Sequence, residues 1–230
     1  MAESRAVARD PRIDRGLLAQ LTERRRRIDA GGRSLGWKLG MGVPAAMEKL
    51  GTSAPLVGYM LEDARLDDGA TCSVGGWANP RLEPEIAVHM GADLPAGEDP
   101  RPAIAGLGVA IEIVDPDPDA SDPEAILAAN IFHRHVLLGP VLEGASAAGV
   151  SARVLCDGEE VAAAGDATEA TGDPVELTRH VAATLEAAGE RLSAGEVVIC
   201  GSVVPAPAVA PGQRFEIVLE PLGRLTVAFD

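Results

Sequence analysis

Between residues 14 and 30, in "DRGLLAQLTERRRRIDA", Leu17, Leu18, Leu21 and Ile28 fall roughly on one face and the arginine run on the other. That spacing predicts an amphipathic helix with a solvated basic face, ended by Gly31-Gly32. "SLGWKLGMG" (34–42) reads as a short strand leading into glycine-flanked turns, and "PAAMEKLG" (44–51) as one or two helical turns. From Pro55 onwards the pattern changes. "LVGYMLEDARL", "TCSV", "EIAVHM", "GLGVAIEIVD", "VLLGPVLEG", "GEVVICGSVV" and "RFEIVLEPLGRLTVAFD" are short apolar or alternating runs bounded by Gly, Pro and Asp, which predicts strands. "VLCDGEEVA" predicts a hairpin turning at Asp157-Gly158, and "LEPLGRLTV" a second turn. One long helix interrupts this series in "GDPVELTRHVAATLEAAGERLSAGE". Asp173 is its N-cap and Pro174 its first residue; Leu177, Val181, Leu185, Ala188 and Leu192 form its apolar face. The acidic, proline-rich "DPDPDASDPE" (115–124) reads as an exposed loop. Together these elements predict an α+β, mainly β fold: a rolled or barrel-like mixed sheet. A small N-terminal α/β region (1–60) leads into a β-rich body (61–230), the two making one functional unit.

Composition narrows the functional classes. The 230 residues are 47% hydrophobic and 24% charged, as in a globular chain, but only 3% aromatic, so aliphatic side chains must fill the core. The formal charge of −15 argues against nucleic-acid partners and anionic membrane surfaces. No apolar run approaches the ~18 residues needed to span a bilayer, and "MAESRAVARDPRIDRG" lacks the apolar core of an export signal. Cys72, Cys156 and Cys200 are scattered without metal-site spacing, which reads as reduced thiols in a cytoplasmic protein. Serine-hydrolase, P-loop, dinucleotide and zinc-hydrolase motifs do not occur.

The candidate chemistry lies in charges set within apolar strands. In "RLEPEIAVHM", Glu83 and Glu85 are two apart, so a strand aims both carboxylates to one side. Pro84 removes a backbone donor and places that strand start at an edge or mouth. By itself the pair fits a solvated strand end or a site. Glu112 in "GLGVAIEIVD" is a charge that needs a partner, either an arginine or a cation shared with other carboxylates. Three such oxygen donors with water would suit Mg²⁺ or Mn²⁺. Lys38 in "GWKLG" is a charge in a similar setting, fit for an acid–base role or an ion pair. His133 and His135 in "NIFHRHV" offer metal ligands, or a general base and a hydrogen-bond donor, or are histidines satisfied by ordinary partners. His89 and His180 read as structural.

Taken in order, "GWKLGM", "PRLEPEIAVHM", "AIEIVD", an Asn-led segment ending in "LLGP", "GDPVELTRHVAATLEAAGERLSAGEVVICGS" and "PLGRLTVAFD" resemble the 2-keto-4-pentenoate hydratase / 4-oxalocrotonate decarboxylase branch of the fumarylacetoacetate hydrolase superfamily, over about residues 14–230. The resemblance implies a mixed β-roll and homo-oligomeric assembly. It implies a divalent metal, Mg²⁺ or Mn²⁺, on Glu83, Glu85 and Glu112, and it matches the family's conserved lysine to Lys38. It also implies a small 2-oxo acid substrate handled through a metal-stabilised enolate. The chain departs from the pattern around this centre. Pro116 and Asp117 follow "EIVD" where Ser-Arg is usual. Ala129 stands for an acid beside the retained Asn130, and Phe132 and His133 stand for serines. Gly42 and Val43 stand where Thr-Ser is usual. Arg134 and Asn130 are therefore candidate substrate-binding residues, with His133 or His135 as base. The leading reading is a hydratase- or decarboxylase-type lyase. A C–C hydrolase of an acylpyruvate-like 1,3-dicarbonyl and a non-catalytic 2-oxo-acid binder are the alternatives.

Overall fold

The computed structural model describes residues 10–230, so most of the stretch read for an export signal lies outside the described residues. Along the chain run α1 (Pro11–Asp29), β1 (Ser34–Gly40), α2 (Pro44–Leu50), β2 (Leu56–Leu61), β3 (Arg65–Leu66), β4 (Thr71–Cys72), β5 (Arg81–Met90) and β6 (Ile104–Val114). They are followed by α3 (Pro123–Ala128), β7 (His133–Leu138), β8 (Leu142–Glu143), β9 (Ser151–Cys156), β10 (Glu159–Ala164), α4 (Pro174–Ala187), β11 (Val197–Ser202), β12 (Arg214–Glu220) and β13 (Gly223–Phe229). Among the described residues the strands form two mixed sheets. One has the order β2-β1-β11-β5-β6-β7-β3, with β8 also on β6; the other runs β10-β9-β12-β13-β4.

The mainly β, curled architecture expected from the pattern is the one found. The Asp157-Gly158 hairpin is present between β9 and β10, both turn residues having positive φ (51° and 88°). Asp173 caps α4 by accepting from the Val175 N–H, as expected. The helix is shorter than the sequence suggested. It ends at Ala187 because Ala188 and Gly189 turn the chain, and Leu192 leaves the helical face to bridge Leu94. α3 was not expected; Asp122 caps it within the acidic loop. β1 lies between β2 and β11, so residues 34–40 are part of the same sheet as β5 and β6. The parallel β1–β11 pairing depends on Gly36 (φ 146°), where an added Cβ would sit 2.0 Å from the Val197 carbonyl oxygen.

The first sheet has two unlike faces. Leu82, Ile86, Val88, Ile111 and Ile113 join the large core with Phe215, Ile217, Leu225 and Val227 of the second sheet and Leu177, Val181 and Leu185 of α4. On the other face a smaller cluster forms from Leu35, Met60, Ala87, Ala110, Val136, Val197 and Ile199. Strand alternation puts Glu83, Glu85 and Glu112 on this face with Ala87 and Ala110. No helix among the described residues is long and apolar enough to cross a membrane.

Candidate metal centre

β5 and β6 are antiparallel, with Glu83 opposite Glu112 and Glu85 opposite Ala110. Directly opposed residues share a face. The two-residue spacing on β5 and the register with β6 therefore bring three carboxylates together. One oxygen from each of Glu83, Glu85 and Glu112 lies within 4.8 Å of the other two. Glu85 and Glu112 are fully buried and Glu83 half-buried.

Two irregularities in neighbouring strands complete the centre. A bulge in β11 between Ile199 and Ser202 puts Gly201 (φ 91°) out of the ladder, and its N–H donates to Glu85 Oε2 at 2.6 Å. The sequence reading did not single out Gly201, although a glycine inside the apolar run "VVICGS" is a signal for such a bulge. The second irregularity lies between β6 and β7. Ile113 pairs with His135 while Val114 pairs with His133, so β7 has one residue extra. The shift separates the two histidines that simple alternation would keep together. His133 stays on the acidic face, its Nδ1 2.6 Å from Glu112 Oε1. His135 goes with Ile113 to the other side, where it stacks on Trp77 (centroids 6.1 Å) and approaches the Ala64 carbonyl at 3.2 Å.

Lys38 points into the centre from β1. It is 1% exposed, its Nζ is 2.5 Å from Glu112 Oε1, and it donates to the Ile131 carbonyl at 3.3 Å. Its stem crosses Gly58, where an added Cβ would come within 2.9 Å of Lys38 Cγ. The Ile131 carbonyl is presented by a turn in which Asn130, Ile131 and Phe132 all have left-handed φ (51°, 51° and 61°). For β-branched Ile131 this is unusual and costs on the order of 1–3 kcal/mol. The Asn130 side chain holds the turn: Oδ1 accepts from the Tyr59 N–H and Nδ2 donates to the Tyr59 carbonyl, both at 2.9 Å. The amide thus pairs with edge strand β2 as a neighbouring strand would. Asn130 reaches the centre only through that turn. Arg134 is exposed, facing Asp115 (3.4 Å) and the Trp77 ring (5.5 Å), and the structure does not bring it to the carboxylates.

The electrostatics are those of an incomplete cage. Burial raises Glu83 to about 7, with the Glu112 carboxylate adding to the shift and Lys38 opposing it. Burial, then Glu112 and Glu83, push Glu85 well above the usual carboxylate range. Burial pushes Glu112 up as well, but the Lys38 ammonium and the His133 hydrogen bond outweigh it, and Glu112 is held below its ordinary value. Glu112 is therefore the ionised member. An ionised carboxylate only accepts hydrogen bonds, so His133 donates through Nδ1, and a neutral ring then carries its lone pair on Nε2. Among the described residues Glu85 Oε1, Glu112 Oε2 and His133 Nε2 are buried without a hydrogen-bond partner. Unsatisfied buried groups of this kind typically cost about 1–3 kcal/mol each. With all three acids ionised, Lys38 leaves a double negative charge. Oxygen donors, unpartnered carboxylate atoms and that charge fit a hard divalent cation.

Glu83 also lies on the wall of a cavity of about 420 Å³ between the 39–46 segment and residues 200–206. It is the link between the buried centre and space that a small molecule could enter.

No protein-family model matches the chain. Curated relatives include a 2-keto-4-pentenoate hydratase from Dechloromonas aromatica (strain RCB), 28% identical over 211 residues and spanning 86% of this chain and 79% of the relative. Among solved structures, 4-oxalocrotonate decarboxylase from Pseudomonas putida G7, complexed with magnesium and adipate, superposes with a TM-score of 0.84 at 25% identity, covering 92% of this chain and 83% of that one. The fold is also that of fumarylpyruvate hydrolase from Pseudomonas aeruginosa in complex with Mn²⁺ and pyruvate, with a TM-score of 0.64 at 16% identity, covering 84% of this chain and 88% of that one. The chain is thus related to the 2-keto-4-pentenoate hydratases and 4-oxalocrotonate decarboxylases, on the fold of the fumarylacetoacetate hydrolase superfamily.

Proposed function

We propose that this relative of the hydratases and decarboxylases is itself a divalent-metal-dependent lyase, of hydratase or decarboxylase type, acting on a small 2-oxo acid. The observation that carries the proposal is the Glu83–Glu85–Glu112 cluster, which opens through Glu83 onto the cavity. In this reading the three glutamates hold Mg²⁺ or Mn²⁺. When bound, the cation supplies Lewis-acid stabilisation for negative charge developing on substrate oxygens.

The chain's own residues have separate tasks. Gly201 N–H orients Glu85. Lys38 neutralises part of the acidic cluster and is the ammonium close enough to hold or deliver a proton beside Glu112. His133, fixed through Nδ1 on Glu112 Oε1, offers the Nε2 lone pair as a proton acceptor. His135 and Arg134, held elsewhere by the β7 bulge, are left out of this set. Asn130 is a positioning residue for the turn that carries Ile131 and leads into His133. A homo-oligomer and a cytoplasmic location belong to the same proposal.

The test is a panel of unsaturated 2-oxo acids and 1,3-diketo acids incubated with Mg²⁺ or with EDTA, the products read by mass spectrometry. Gain of one water, or loss of CO₂, only with Mg²⁺ supports the lyase. Cleavage to two smaller fragments identifies the C–C hydrolase instead. If no acid is turned over, and neither Mg²⁺ nor Mn²⁺ binds the wild type more tightly than a Glu85→Ala variant, the metal-enzyme reading fails.

A further inference from the structure

We infer that Arg81 is the residue that recognises the carboxylate of the substrate. The inference rests on the proposed function and deepens it, by naming the cation that selects a charged ligand. Arg81 is half-buried, and no ion pair joins it to an acid among the described residues. Every other buried or half-buried arginine among those residues has such a partner: Arg12 with Asp10, Arg24 with Glu190, Arg27 with Asp63 and Arg179 with Glu176. The two hydrogen bonds that Arg81 makes go to neutral acceptors. Nη1 donates to the Ala206 carbonyl and Nε to Asn79 Oδ1, both at 3.2 Å. They fix the side chain without cancelling its charge. A guanidinium has five N–H donors, so three are left, two of them on Nη2. A charge withdrawn from water without a counter-charge is unfavourable, and an incoming carboxylate would relieve that cost.

Position ties this charge to the acidic centre. Arg81 stands two residues before Glu83 on β5, so both side chains leave the same face, roughly 7 Å apart along the strand. Across the sheet Arg81 is opposite Val114, and Val114 is opposite His133. Two strand spacings make that row roughly 10 Å wide. Arg81 and His133 therefore flank the glutamates from two sides. Ala206, which accepts from Arg81 Nη1, shares with Glu83 the wall of the 420 Å³ cavity. The guanidinium is thus one hydrogen bond from the space a small acid would enter.

Charge balance explains why a cation is needed there. Three ionised glutamates and Lys38 leave two negative charges, which a divalent cation cancels. The loaded centre then has no net charge to draw in an anion. Arg81 supplies it, and the planar fork of a guanidinium matches a carboxylate. Arg134 does not fill this place, because it is exposed and faces Asp115 at 3.4 Å.

Two ligands of nearly the same shape and different charge test the inference without turnover: 2-oxopentanoate and its neutral amide, 2-oxopentanamide. Their binding to the full chain at saturating Mn²⁺ would be measured by calorimetry for wild type, Arg81→Gln and Arg81→Lys. Wild type should prefer the acid, and Arg81→Gln should lower the acid-over-amide ratio by at least about tenfold. Mn²⁺ itself should bind Arg81→Gln at least as tightly as wild type, since a positive charge has left the neighbourhood of the glutamates. Arg81→Lys keeps the charge and loses the fork that grips Ala206 and Asn79, so it should retain most of the ratio. An unchanged ratio in a folded Arg81→Gln protein overturns the inference and leaves the proposed function in place. Equal losses in the Gln and Lys variants reduce Arg81 to a clamp on residues 79 and 206 and overturn it too. Arg81→Met is the neutral variant to use if Arg81→Gln does not fold. If wild type binds Mn²⁺ but neither ligand, the 2-oxo-acid reading fails and the inference with it.

Discussion

Replacing Lys38 by Met tests how the acidic centre is held together. The substitution keeps an unbranched stem in the slot over Gly58 and removes only the ammonium. Lys38 is 1% exposed and Glu112 0%, with 2.5 Å between Nζ and Oε1. Removing one partner of a buried ion pair typically costs about 3–5 kcal/mol, because the other charge is left uncompensated. In a domain of this size each kcal/mol corresponds to roughly 2–4 °C in Tm. The metal-free variant should therefore melt on the order of 6–20 °C below wild type near neutral pH. The difference should shrink at acid pH, where the carboxylates can take up protons instead. The cluster is also more negative without Lys38, so the variant should bind Mn²⁺ more tightly than wild type, and a saturating cation should recover more stability. At a free concentration 100 times its Kd, a cation adds about 2.7 kcal/mol. Differential scanning fluorimetry with EDTA or a Mn²⁺ series, and calorimetric titration, would measure both effects. A Tm loss below about 2 °C, or weaker Mn²⁺ binding in the variant, would refute the view that Lys38 balances the glutamates; it corresponds to less than about 1 kcal/mol.

Glu83, raised to about 7, and Glu85, raised further, are acids that prefer their protons in the metal-free fold. Their contribution to stability is present below the ordinary carboxylate range and is lost as pH rises through about 7, so the metal-free Tm should fall between roughly pH 5 and 8. Mg²⁺ should flatten that profile and release protons on binding, visible as a buffer-dependent calorimetric heat; a metal-free Tm that rises across this window contradicts the assignment. Asn130→Asp keeps a residue tolerant of left-handed φ but faces the Tyr59 carbonyl with an acceptor where a donor stood. It should cost about 1–3 kcal/mol in stability and lower kcat more than it raises KM, with the pH–rate profile shifted because Lys38 and His133 move with the turn. An unshifted profile with unchanged kcat would reduce Asn130 to a purely structural clasp. Gly58→Ala brings a Cβ within 2.9 Å of Lys38 Cγ and 3.0 Å of Asn130 Oδ1, so overpacking of about 1–3 kcal/mol and a drop in turnover should appear together in melting and rate assays.

Much of this protein was legible in the chain because the relevant physics is local. Alternating apolar runs, Asp157-Gly158 and the Asp173-Pro174 helix start each depend on a few neighbouring residues, and each is found where the pattern put it. The Glu83–Glu85 pair is likewise readable, since a two-residue spacing in a strand needs no knowledge of the rest of the fold. The tertiary structure decided what depends on register and curvature. Glu112 joins the pair because β6 meets β5 with residue 112 opposite residue 83, 29 positions away in sequence. One extra residue in β7 divides His133 from His135, which alternation alone would have kept on one side. The β11 bulge frees the Gly201 N–H for Glu85, and the left-handed turn at 130–132 turns the Ile131 carbonyl towards Lys38. A single-residue slip in either bulge would reverse which side chains face the centre. Such slips are set by the balance of ladder hydrogen bonds and packing across the whole sheet, and no short window of the sequence contains that balance.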